Sequence, residues 1–172
     1  MRRGRGAGAA ASRVVATALC ALLLAPSLLA ADVRTVKEPA AIEKVWPAAA
    51  KVRVVNLWAT WCGPCVAEMP DLRTIDETFG AEVALLGVSL DDMIPDTKPA
   101  KVTAFLEKYR IAFPNLYYTG NADTLGDYYG FNGELPVTIV FDRKGKELWR
   151  HEGRLDKNAT IARLREILRR KP

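Results

Sequence analysis

A chain of 172 residues, 49% hydrophobic and 26% charged, has the composition of one globular domain, and nothing in it repeats at a solenoid period. Its net charge of +5 would draw it to a polyanion if spread over the fold, but Arg2, Arg3, Arg5 and Arg13 precede residue 32 in an acid-free stretch. Without those four the net charge is +1, which excludes nucleic acid as an electrostatically recruited partner.

The early arginines are followed by an apolar run from Val14 to Ala31, interrupted only by Thr17, Pro26 and Ser27. A basic end and an apolar stretch closing on Ala30 and Ala31 form the pattern of an export leader. Residues 1–31 are therefore expected to be a signal peptide or, if uncut, an N-terminal membrane anchor. Either outcome keeps the basic end in the cytoplasm and puts residues 32–172 in the periplasm or an equivalent extracytoplasmic space. An organelle transit peptide would be amphipathic, whereas this run is apolar on every face. Cys20 lies within it behind Leu19, too large a residue for a lipid-attachment site, and reads as apolar packing.

Past the leader, Lys51 to Trp58 reads as a strand and Glu82 to Leu90 as a strand buried on both faces. A helix from about Cys62 to Phe79 lies between them, completing a parallel βαβ unit. The Pro-containing stretch "DDMIPDTKP" leads to a helix with Val102, Phe105, Leu106 and Tyr109 on one face. A turn-rich segment follows, and then "VTIVF" and "KELWRH" form a hairpin around Arg143, Lys144 and Gly145. The last helix, capped by Asn158, is apolar at Ile161, Leu164, Ile167 and Leu168. This order predicts an α/β fold with a mixed central sheet flanked by helices.

The chemistry concentrates in "NLWATWCGPCVAEMP", residues 56–70, which holds Cys62 and Cys65, the only cysteines beyond the leader. A disulfide closing so short a loop stabilises by only about 2 kcal/mol, so the pair is a poor brace. A closed zinc site needs four ligands, and the exported part has no second cysteine pair and one histidine, His151, which reads as an ordinary strand-end residue. Two thiolates can still hold copper(I), which keeps a metal-carrying module open. Redox chemistry accounts for more of the stretch. A helix beginning at Cys62 favours a thiolate there, as the exposed nucleophile, and the Gly63-Pro64 spacer brings Cys65 one turn along as the resolving thiol.

Three segments, "VVNLWATWCGPCVAEMPDL", "VALLGVSL" and "GELPVTIVFDRKGKEL", resemble the exported thioredoxin-like thiol:disulfide oxidoreductases of the TlpA, ResA and CcmG (DsbE) group, over roughly residues 35–170. The resemblance implies a thioredoxin-like fold with a central insertion from "DDMIPDTKP" to Tyr109, Pro70 kinking the active-site helix, and no cofactor beyond the redox-active Cys62–Cys65 pair. It implies a cis Pro136 beside the cysteines, leaving the Leu135 backbone free for a substrate strand, with Trp61, Gly63 and Pro64 completing the contact surface. Asn56 stands where thioredoxin keeps a buried Asp, and Glu68 is the replacement acid expected to accept the Cys65 proton. A Gly-Pro spacer accompanies the potential of thioredoxin, about −270 mV, rather than that of DsbA, about −120 mV. The expected activity is therefore reduction of disulfides in exported proteins, such as apocytochrome c or copper-site cysteines, with recharging by a membrane electron donor of the CcdA or DsbD kind.

Overall fold

Residues 33–170 are described by a computed structural model, and the expected leader, residues 1–31 with Cys20, lies outside them. Alternation along β2 (Val52–Trp58) organises the molecule. Val52, Val54 and Trp58 join one buried cluster, while Val55 and Leu57 join another on the opposite face, as successive strand side chains must. β3 (Val83–Ser89) has the same near-continuous burial and pairs with β2 in parallel, Val54 opposite Leu85 and Leu57 opposite Val88.

Six strands form one sheet in the order β1-β4-β3-β2-β5-β6. β1 (Arg34–Val36) and β4 (Asn115–Tyr118) extend the parallel side; β5 (Val137–Asp142) and β6 (Glu147–Glu152) add the expected antiparallel hairpin. The first cluster lies beneath α2 (Gly63–Phe79), α3 (Pro99–Tyr109) and α5 (Lys157–Arg169), which contribute Met69, Leu72 and Ile75, Val102 and Leu106, and Leu164 and Ile167 respectively. The second lies beneath α1 (Pro39–Ile42) and α4 (Ala122–Tyr129), through Ile42, Leu125 and Tyr129. The architecture is the thioredoxin-like mixed sheet with helices on both faces. The expected insertion supplies α3 and leads into β4, which takes a place inside the sheet between β1 and β3. α2 runs on through Pro70 to Phe79.

Two local expectations are corrected. α5 is capped by Asp156, not Asn158: Asp156 has extended backbone and its carboxylate accepts from the Ala159 N–H at 2.8 Å, whereas Asn158 is already inside the helix. The turn-rich segment holds both β4 and α4. α4 carries its own punctuation, an Asn121 side chain accepting from the Thr124 N–H and Gly130 at φ +62° past its end.

At the centre of the sheet, Gly87 lets two elements meet. Trp58 Nε1 donates to Asn115 Oδ1 at 3.0 Å, and the Asn115 amide donates to the Phe113 carbonyl at 3.0 Å. A Cβ on Gly87 would lie 1.9 Å from Asn115 Oδ1 and 2.9 Å from Trp58 Nε1. Gly87→Ala should therefore destabilise the fold by about 2 kcal/mol or more, from overpacking plus a broken buried hydrogen bond, read as a lower urea midpoint at unchanged slope. In the same assay Asp156→Ala should cost about 1 kcal/mol, while Asn158→Ala should stay within about 0.5 kcal/mol.

Candidate active site

Cys62 and Cys65 form a disulfide at the start of α2. Cys62 is the N-cap, one residue earlier in role than the sequence suggests, and its Sγ accepts from the Cys65 N–H at 3.2 Å. Pro64 occupies the first turn, where no backbone donor is needed. Cys62 keeps 6% of its surface and Cys65 none. The pair is more enclosed than an exposed nucleophile would be, but an incoming sulfur can reach it only at Cys62, at the helix N-terminus, where the Cys65 N–H and the helix dipole favour a thiolate.

Trp61, 44% exposed, Gly63 and Pro64 form an accessible collar around that sulfur. The Leu135-Pro136 bond is cis. Leu135 precedes β5, outside its ladder, and packs against the cluster that holds both cysteines. The loop ahead of Cys62 has a brace that sequence reasoning missed. Buried Asp91, just past β3, accepts from the Thr60 N–H at 3.0 Å, from the Thr60 hydroxyl and from the Ser89 hydroxyl at 2.8 Å. Its sequence signal was an acid directly after a fully buried strand, where the backbone turns and needs acceptors.

Glu68 is completely buried. It faces the sheet from α2, one turn beyond Cys65, and each carboxylate oxygen has a donor: the Asn56 amide reaches Oε1 at 2.9 Å and the Leu155 N–H reaches Oε2 at 2.9 Å. Asn56 also donates to Thr138 Oγ1 at 3.0 Å, while its own Oδ1 has no partner among the described residues. Burial pushes the Glu68 carboxyl above its ordinary range; the Leu155 and Asn56 hydrogen bonds and the nearby His151 and Arg154 oppose the shift without cancelling it. An acid that accepts two hydrogen bonds yet is penalised for its charge takes up a proton more readily than an exposed glutamate, the property a proton acceptor needs. His151, expected to be an ordinary strand-end residue, lies within electrostatic reach of Glu68. Among the described residues no group of three or more His, Cys, Asp or Glu is placed to hold a metal ion.

Comparison with known proteins gives this geometry its relatives. The thioredoxin-like protein YneN of Bacillus subtilis is 30% identical over 97 residues, 54% of this chain and 51% of its own length. The thiol-disulfide oxidoreductase ResA of Geobacillus thermodenitrificans is 32% identical over 95 residues, 54% of this chain and 49% of its own. The chain thus spans about half the length of the curated relatives it matches. Among solved structures, a thioredoxin-related protein from Neisseria meningitidis serogroup B superposes with a TM-score of 0.56 at 31% identity, covering 70% of this chain and 87% of that one. The family model described as Redoxin matches residues 31–168, nearly the whole of the sheet, its helices and the cysteine pair, and the chain belongs to that family.

Proposed function

We propose that the protein is an exported thiol:disulfide oxidoreductase acting as a reductant of disulfides in other exported proteins. The observation that carries this reading is the pairing of a half-sealed disulfide with a fully buried acid on the same helix: Cys62 at the surface edge, Cys65 and Glu68 inside. The likeness to a relative named thiol-disulfide oxidoreductase supports it.

In the reduced protein the Cys62 thiolate attacks one sulfur of a substrate disulfide, and the other substrate sulfur leaves as a thiolate and is protonated by solvent. Cys65 then gives its proton to Glu68 and attacks Cys62 Sγ. That step breaks the mixed disulfide, releases the second substrate thiolate and closes the Cys62–Cys65 bond. Two electrons pass to the substrate, and a membrane dithiol carrier of the CcdA or DsbD kind returns them. Trp61, Gly63, Pro64 and the Leu135 backbone ahead of cis-Pro136 line the surface on which a substrate strand rests. The leader over residues 1–31 supplies the route out of the cytoplasm, and apocytochrome c or copper-site proteins are the substrate classes proposed.

Cys65→Ser should accumulate reductant-sensitive adducts through Cys62, and Cys62→Ser should trap none. Identifying the captured proteins separates cytochrome maturation from copper-site assembly, and adducts on Cys65 alone would reverse the assigned roles. Glu68→Gln should leave the first attack intact and slow substrate release about a hundredfold at neutral pH, read by stopped-flow on a model disulfide. A reduced protein that retains copper(I) tightly but turns over no disulfide would instead favour the metal-carrying module.

A pH dependence follows from the burial of Glu68. Its folded-state affinity for a proton is raised above that of the unfolded chain. The associated stability is therefore complete below the ordinary glutamate range and is lost as pH rises through the folded value. The amide of the Glu68→Gln variant does not titrate. The stability difference between Glu68→Gln and wild type should thus move in favour of the variant as pH rises above the ordinary glutamate range, and level off once Glu68 is ionised in the folded protein, measured by urea unfolding of the oxidised proteins.

A further inference from the structure

The one histidine of the chain stands in a row of polar side chains beneath α2. Asn56 on β2 pairs across the sheet with Thr138 on β5, and Thr138 pairs with His151 on β6. Directly paired residues share a sheet face, here the face that carries Glu68. The sharper connection runs through the turn after β6. His151 Nε2 lies 3.1 Å from the Arg154 carbonyl oxygen, and because a carbonyl only accepts, Nε2 must carry the proton. The Arg154 C=O and the Leu155 N–H belong to a single peptide group, and that N–H is the donor to Glu68 Oε2 at 2.9 Å. Imidazole, peptide and carboxylate therefore form one unbroken hydrogen-bonded chain.

We propose that His151 is a positioning residue for Glu68, holding the Arg154–Leu155 peptide in place and, when it gains a second proton, strengthening the Leu155 N–H that Glu68 accepts. A donor placed on the carbonyl of an amide polarises the group and makes its N–H a better donor in turn. The charged imidazole also favours the carboxylate through space. With that donor on the peptide, the carboxylate form of Glu68 is favoured and stays available to Cys65.

Few other groups compete. Glu68 faces the Asn56 amide from β2, the disulfide on its own helix, and Leu155, His151 and Arg154 from the hairpin end and the turn behind it. The Arg154 charge is partly engaged elsewhere, with Nη2 at 3.7 Å from Asp71, which also has Lys157 Nζ at 3.9 Å. His151 itself faces Trp149 on its own strand, ring to ring at 5.9 Å, and Thr138 across the ladder.

The proposal rests on the reading of Glu68 as the acceptor of the Cys65 proton only for its functional consequence; the coupling itself is read directly. The test is carbon-13 NMR titration of the Glu68 carboxyl in the oxidised full-length protein, wild type against His151→Gln and His151→Phe. Phe removes both donor and charge and should raise the Glu68 midpoint by roughly half a pH unit, the size of a partly lost charge-assisted hydrogen bond. Gln keeps an N–H for the Arg154 carbonyl without the charge and should fall between. In the wild type alone, the Leu155 amide proton should shift as the imidazole titrates, a reading that needs no variant to fold. An unchanged or lowered midpoint in His151→Phe overturns the proposal. Equal shifts in the two variants overturn the peptide link, leaving only charge acting through space. If the midpoint shifts as expected but the pH profile of substrate release does not follow it, the coupling stands and the assignment of Glu68 to proton transfer fails instead.

Discussion

The arrangement of the site depends on one buried carboxylate. Glu68 brings a charge-bearing group into the interface between α2 and the sheet, where desolvation works against ionisation and each oxygen must find a donor. Those donors come from far along the chain, Asn56 from the central strand and Leu155 from the turn before the last helix. The same two contacts tie α2 to the sheet centre and to the start of α5. Replacing Glu68 by a hydrophobe would remove the desolvation cost while stranding the Leu155 N–H and leaving the Asn56 amide only its bond to Thr138.

The sheet isolates this chemistry on one side. The disulfide, Glu68, Asn56, Thr138 and the α2, α3 and α5 contacts share a face, while α1 and α4 cover the other with an apolar cluster. Asp91 ties the loop ahead of Cys62 to the exit of β3, accepting from Thr60 in the loop and from Ser89 at the strand end. The position of Cys62 is therefore set by a strand end and an acid outside its own helix, in addition to the cap it forms.

What the sequence revealed and what it hid differ in physical kind. Cys62, Cys65, Pro64, Pro136 and Glu68 carry chemistry or backbone constraints bound to local spacing, so their places could be read off a short motif. The strands β2, β3, β5 and β6 announced themselves by apolar runs or alternation. β4 did not, because four residues buried together give no period to count. α4 spans two turns, and its cap signals at Asn121 and Gly130 were read as turn residues. At α5, Asp156 and Asn158 are both good capping types two residues apart, and only the backbone decides between them. Asp91 and His151 acquire their roles through long-range partners, Thr60 and the peptide behind Leu155, which no spacing rule connects.

The Leu155 contact spans 87 residues of sequence, and it sets an order of events. A chain that emerges from its N-terminus presents the two cysteines long before the residue that completes the acid's pocket has appeared. Until the turn at residues 153–156 docks, Glu68 lies on a helix whose inner face has no finished partner, and the thiols beside it lack their tuned neighbour. The nascent chain thus carries its two cysteines before the pocket around the buried acid exists, and gains that pocket only as its last helix closes over the sheet.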